Sequence, residues 1–382
     1  LALNDEVLVT QAVTATAPGE IGLGLEGDLQ INQVMAAEGL DPWLTGVDDT
    51  VIPVAPDGMC QYGVAWYRRP LVRSTQTPVP TIGAAGNGVF LLGGPGFNAL
   101  HRSEDASSWG VTSLPGSYYP NTLSFAAGAF YATNNYSTAI MRSATGLSWT
   151  VQTPANEQQG WGAVAAGDGI LVAAPARNSG GPSVVLARSE DNGATWTPIT
   201  LSDTSSYTNG APWAVGFIDG RFVLYPPCAP SSATTSYYTS SNGTTWTRRT
   251  LTPVPTGEAQ YDTGMPYPVL TPAGSKLVLR NRYQTGYAFS SQRACLVTSD
   301  GLTWFLEDSA SFSAVKYDMT YGPGGYTVRT ENGIEQGVGL EERTVYPFPA
   351  PYSTPFYVLQ TRGAFVLYGP PLTSSVFFGT CA

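Results

Sequence analysis

The chain has 382 residues with 43 Gly, 30 Pro, 12% aromatic and only 12% charged residues, which excludes long amphipathic helices and points to many short strands joined by tight turns. Its formal net charge is −10 and its only lysines are Lys276 and Lys316, so no polybasic patch exists for a phosphate backbone and nucleic acid is excluded as a partner. No uncharged apolar run reaches the roughly 18 to 20 residues of a membrane helix, and four scattered cysteines with a single histidine, His101, leave no usual zinc spacing, so neither membrane insertion nor a metal or other cofactor is expected.

The chain opens on a segment, 1–57, that follows no repeat. Ala2-Leu3-Asn4-Asp5-Glu6-Val7, then Thr10, Thr14, Thr16 and a Gly-spaced stretch to Gly27, resembles the opening segment of phage tail-fibre and tail-spike proteins, departing from it at Glu6, where such segments often carry Arg. The resemblance implies an arm that docks to other virion proteins and through which an oligomer could form; the alternative is an extended arm of any secreted protein. Asp5 and Glu6 stand where a signal peptide would be basic and then apolar, while a signal removed before residue 1 stays open. Pro53, Pro56 and Gly58 mark a linker, which gives an arm of 1–57 and a second domain of 58–382.

Beyond the linker, residues 62–67 (Tyr-Gly-Val-Ala-Trp-Tyr) read as a lone strand. Seven apolar hairpins with Gly-bearing turns follow, at 82–92, 123–132, 164–173, 215–225, 269–279, 317–328 and 356–368. After each of the first five comes a polar turn that ends in tryptophan: Trp109, Trp149, Trp196, Trp246 and Trp304, spaced by 40, 47, 50 and 58 residues. Such spacing fits one four-stranded propeller blade per repeat.

The turn before Trp196 reads Ser189-Glu190-Asp191-Asn192-Gly193-Ala194-Thr195-Trp196, a complete S-x-D-x-G-x-T-W that resembles the Asp-box of sialidases and related propellers. The others are variants: the turn with Asp105 lacks the Gly, the one at 143–149 lacks the Asp, Asn242 replaces Asp in the fourth, and the fifth is read as Ser299-Asp300-Gly301-Leu302-Thr303-Trp304. Each element has a turn role, since Ser and Asp bond the turn backbone, Gly or Asn accepts positive φ, and Trp buries a large face between sheets. The resemblance implies an all-β, seven-bladed β-propeller, with six or eight blades as alternatives. The last hairpin is followed by a single strand, 374–381, so the strand at 62–67 is expected to complete that blade and close the ring. Pairing there would bring Cys60 beside Cys381, within reach of a disulfide suited to a virion surface or extracellular setting.

Sialidase resemblance also implies a test for catalysis. Tyr67-Arg68-Arg69-Pro70 is similar to the family's Phe/Tyr-Arg-Ile-Pro motif, with Arg69 in place of Ile. The family's arginine points into the central funnel from an inner strand, whereas Arg68 falls on or just after the closing outer strand, and no catalytic Asp or further Arg stands in a family-like context. A non-enzymatic propeller is therefore favoured over a sialidase-like glycoside hydrolase, and His101 reads as structural. The second-to-third strand loops and the inter-blade connections, which share one face, are long, polar and aromatic. Tyr118, Tyr119, Tyr136, Tyr207, Tyr261 and Tyr283, with Glu258, Asp262 and Arg282, are the candidate ligand-binding residues. The expected role is recognition of a surface glycan or docking to a neighbouring virion protein, with a purely architectural virion part as the further alternative.

Overall fold

The computed structural model describes residues 2–3, 6–7, 11–17, 20–28, 64–71, 80–94, 96–154, 160–176, 183–202, 212–227, 235–251, 268–273, 275–281, 295–307, 318–322, 325–329, 333–337, 344–347, 357–361, 364–368 and 375–381. Among these residues the strands form seven four-stranded sheets and two short two-stranded ones. The two short sheets lie in the N-terminal segment, where Ala2–Leu3 pairs with Glu6–Val7 and Gln11–Ala17 with Glu20–Asp28.

Six of the larger sheets are simple antiparallel meanders, taken as blades 1 to 6, and each opens on one of the apolar hairpins. Blade 1 consists of Ile82–Gly86, Val89–Gly93, Ala99–Ser103 and Gly110–Ser113. Blade 2 follows with Thr122–Ala126, Ala129–Thr133, Ile140–Ser143 and Thr150–Gln152. Blades 3, 4, 5 and 6 begin at Trp161, Ala214, Pro268 and Asp318. Blade 7 takes three strands from the end of the chain, Tyr357–Thr361, Ala364–Tyr368 and Ser375–Cys381, and its fourth from Val64–Pro70. Residues 64–67 of the expected strand lie in this fourth strand, which continues to Pro70, and residues 62 and 63 lie outside the described residues. Cys381 stands opposite Val64 in its register, and Cys60 lies outside the described residues.

Burial explains the strand sequences. The second strands, Val-Phe-Leu-Leu-Gly in blade 1 and Ala-Phe-Tyr-Ala-Thr in blade 2, are buried at every position, because neighbouring blades cover both faces of the sheet. The fourth strand of blade 1 lies at the rim, and there only Thr112 is buried. The core is accordingly a set of inter-blade layers. Ile82, Leu91 and Leu100 pack with Leu123, Phe130 and Met141 between blades 1 and 2, and Phe90, Leu92 and Trp109 pack with Leu359, Val366 and Tyr368 between blades 1 and 7. Full burial of one Leu or Phe contributes about 1.5–3 kcal/mol, so these layers dominate cohesion in a chain with only 12% charged residues.

Near the axis the wedge between blades is narrow and takes glycine. A Cβ on Gly86 would stand 2.3 Å from the Phe125 ring, and one on Gly167 would stand 2.1 Å from the Phe217 ring. Both phenylalanines then meet a second ring edge-on, Phe125 with Phe130 at 4.9 Å and Phe217 with Phe222 at 4.8 Å.

The two faces differ in their connections. Turns between first and second strands are tight, with successive positive φ at Asn87 and Gly88, Ala127 and Gly128, Asp168 and Gly169, and Asp219 and Gly220. Chain direction puts these turns and the tryptophan-ending turns on one face. Second-to-third strand loops and blade-to-blade connections lie on the other.

Candidate recognition face

Each polar turn wraps its own backbone. Asp191 accepts hydrogen bonds from Thr195 N–H at 2.8 Å, Thr195 Oγ1 at 2.6 Å and Ser189 Oγ at 2.8 Å. Those bonds, the Thr195 hydroxyl foremost, hold its carboxyl down to about 2. For Asp105 and Asp300 partial burial works against ionisation but is outweighed by turn donors, so Asp105 is held below the usual range and Asp300 at about 2. Asn242 accepts Thr244 N–H and Thr245 N–H at 2.9 Å each, so the neutral amide does the same work. In the turn without Asp, Thr145 Oγ1 accepts the Leu147 N–H at 3.3 Å. Where Gly is missing, Ala106 takes φ 61°.

One reading of the sequence needs correction. The fifth turn begins at Thr298, not Ser299: Thr298 Oγ1 donates to Asp300 Oδ1 at 3.0 Å and accepts Gly301 N–H at 2.9 Å.

The turns of blades 2 to 5 also dock their blade on the one before it, a role the sequence reading did not assign. Arg102, Arg142 and Arg188 each precede the turn's serine, and each donates Nε to a carbonyl of the next blade's turn: Thr145 O at 2.8 Å, Asn192 O at 2.6 Å and Asn242 O at 2.7 Å. Tyr131 OH also donates to Asn192 O at 3.0 Å, and its ring meets Trp196 edge-on at 6.2 Å. Tyr237 repeats the arrangement with Leu302 O at 2.9 Å and Trp304 at 5.8 Å. The Arg-Ser dipeptide before three of the five turns is the signal that marks these latches. Their donors are committed to holding the ring, and the face is built for cohesion.

The opposite face is different in chemistry. Tyr119 lies in the connection from blade 1 to blade 2 and is 43% exposed, and Tyr136 lies in the second-to-third strand loop of blade 2 and is 74% exposed. One side chain joins them: Asn134 Nδ2 donates to Tyr119 O, and Asn134 Oδ1 accepts Tyr136 N–H at 2.6 Å. The two backbones are thus held a single amide apart. Surrounding bonds fix this clamp. Trp161 N–H donates to Asn134 O at 3.0 Å and Trp161 Nε1–H to Thr138 O at 2.7 Å, while Asn98 Nδ2 donates to Gly116 O at 3.0 Å. Asn135 N–H donates to Asn121 Oδ1 at 3.2 Å, and Asn135 Oδ1 is buried with no hydrogen-bond partner among the described residues.

Tyr118, grouped with these tyrosines on sequence grounds, belongs elsewhere. It is buried, and its hydroxyl lies 2.8 Å from Ala139 O and 3.1 Å from Ala132 O, so it anchors the connection from within instead of offering a ring to a ligand. Burial pushes its phenol far above the ordinary value. Tyr207, Glu258, Tyr261, Asp262, Arg282 and Tyr283 lie outside the described residues. The amide clamp was not read from the sequence, although an Asn-Asn pair directly after a strand is a turn signal that could have marked it.

Arg68 stands opposite Phe377 on the outermost strand of blade 7, the position farthest from the axis. His101 is buried in the third strand of blade 1. Among the described residues no group of three or more His, Cys, Asp or Glu could hold a metal ion.

The arrangement is that of an all-β propeller. Solved structures similar to it include streptogramin B lyase, at 12% identity over 83% of this chain and 98% of that one with a TM-score of 0.59. Virginiamycin B lyase from Staphylococcus aureus is similar at 12% identity, 84% and 100% coverage and a TM-score of 0.59. The WD40 β-propeller domain of Doa1 is similar at 10% identity, 84% and 97% coverage and a TM-score of 0.50. At such identities the likeness shows the fold alone. No family model matches the sequence, and no curated protein matches it.

Proposed function

We propose that the protein is a non-enzymatic, seven-bladed Asp-box propeller of a virion surface or extracellular setting, which recognises a surface glycan with its long-loop face. The N-terminal arm, on this reading, attaches the ring to neighbouring virion proteins. One observation carries the recognition reading: Tyr119 and Tyr136 present exposed rings from two separate connections that Asn134 ties together. An exposed aromatic on a fixed backbone supplies flat apolar area at little entropic cost, the property expected of an anchor. The opposite face supports the assignment by contrast, since its polar groups are spent on turns and inter-blade latches. Arg68 on a rim strand and a buried His101 favour binding over the two catalytic arrangements considered for the chain.

The test uses the full chain on a printed array of cell-surface oligosaccharides, with the unbound sugars assayed afterwards for cleavage. Retention without release of shortened products, lost in Tyr119→Ala and Tyr136→Ala, is the expected result. Release of cleaved sugar would replace this reading with a glycosidase, and retention insensitive to both substitutions would move recognition away from this face.

A further inference from the structure

We infer that the ligand of the Tyr119–Tyr136 sector is a neutral, hydroxyl-rich saccharide and not a sialylated or uronic-acid glycan, an inference that rests on the recognition reading above. Three connections on this face meet here: 93–98, 114–121 and 134–139. Together they contain no Asp, Glu, Lys, Arg or His. They are also tied to one another, since Asn98 holds Gly116, Asn134 holds Tyr119, and Leu114 N–H donates to Asn98 O at 2.7 Å. The absence of charge is therefore a property of one surface and not of three scattered loops.

An acidic sugar needs a cation or an array of free N–H donors facing its carboxylate, and none of the residue types that supply a cation is present in these connections. The chain as a whole has a net charge of −10, which disfavours an anionic ligand. The sector does hold the two kinds of group that a neutral sugar uses. Tyrosine rings lie against the apolar C–H faces of a pyranose, and uncharged polar side chains such as Asn121 and the exposed Ser117 pair with hydroxyls as donor and acceptor.

The experiment measures binding of the full chain, by biolayer interferometry, to immobilised neutral oligosaccharides of hexose and N-acetylhexosamine and to their sialylated and uronic-acid counterparts. Each is run at about 0.01 M and about 1 M salt, where screening lengths differ roughly tenfold. Expected are binding to neutral probes that changes less than about twofold with salt, and a loss of about tenfold in Tyr119→Ala or Tyr136→Ala. Tyr119→Phe and Tyr136→Phe should keep most of the binding, because the ring remains, and Leu147→Ser on the opposite face should leave it unchanged. Thermal midpoints equal to that of the parent certify that the variants fold. Tyrosine-dependent binding confined to acidic probes and weakened by salt overturns the neutral-sugar inference while leaving the recognition face standing. Binding of neutral probes that survives both alanine substitutions overturns the inference, because this sector is then not the site. No binding to either class overturns the recognition reading with it.

Discussion

Gly146 lies where blade 2 docks on blade 1, and substituting it separates backbone strain from steric pressure. Its φ is +76°, and a Cβ there would stand 2.8 Å from Leu91 Cδ2, 3.1 Å from Cδ1 and 3.3 Å from Cγ. Leu91 is fully buried in the layer between the two blades, so it has little room to move. Gly128, in the inner hairpin of blade 2, has nearly the same φ of +74° and nothing within 4 Å of its would-be Cβ. For Gly128→Ala, left-handed backbone costs about 1–2 kcal/mol, offset by about 0.4–1 kcal/mol from the less flexible unfolded chain, so a net loss of about 1 kcal/mol is expected. Gly146→Ala carries the same backbone loss plus about 1–3 kcal/mol of overpacking, for a total of about 2–4 kcal/mol. Urea unfolding at matched m-values reads the two losses. In a Leu91→Ala background the extra penalty at Gly146 should vanish, appearing as a coupling of about 1–3 kcal/mol in a double-mutant cycle. Equal losses at the two glycines, or no coupling to Leu91, would refute the docking of this turn onto blade 1.

Three further outcomes are expected. Tyr118→Phe should destabilise the ring by about 1–3 kcal/mol, because two buried carbonyls lose their shared donor, whereas Tyr119→Ala and Tyr136→Ala should stay within about 0.5 kcal/mol of the parent in the same denaturant titration. The carboxyls of Asp191 and Asp300 titrate near 2 in the fold but near 3.9 in an unfolded chain. Their stabilisation is therefore complete above about pH 4 and lost as pH falls through about 2. A doubly substituted Asp191→Asn, Asp300→Asn chain should show a flatter fall of thermal midpoint between pH 4 and 2, and parallel curves for variant and parent would move the acid sensitivity elsewhere. Arg142→Ala should lower stability by about 1–2 kcal/mol by removing the bond to Asn192 O, and Arg142→Lys should recover little of it because the ammonium cannot reproduce the Nε geometry; full recovery by Lys in thermal melts would make the charge, not the directed bond, the relevant feature.

The inner hairpins were legible because each is local. Residues 82–92 and 215–225 carry their own turn chemistry, Asn87-Gly88 and Asp219-Gly220, and the strands Ile82–Gly93 and Ala214–Tyr225 pair across it. What the sequence hid was the partner of each side chain. Tyr118 and Tyr119 are adjacent and identical, yet one is buried and the other is 43% exposed, because the carbonyls that capture the Tyr118 hydroxyl come from Ala132 and Ala139, 14 and 21 residues further along. Thr298 holds the role given to Ser299, although the pattern's own spacing, a hydroxyl two residues before Asp, already singles out Thr298. The partners of Arg102, Arg142 and Arg188 are hidden in the same way, since the carbonyls they reach lie 43 to 54 residues further along.

Hydroxyl-radical footprinting of the intact chain, free and held on a glycan-bearing cell surface, tests the recognition face most directly. Protection of Tyr119 and Tyr136 in the bound sample, with Leu147 and Phe305 oxidised equally in both, is the expected result, because the latter two are exposed at an opposite-face turn and on a rim strand. Protection at Leu147 or Phe305 with Tyr119 and Tyr136 unchanged would contradict it.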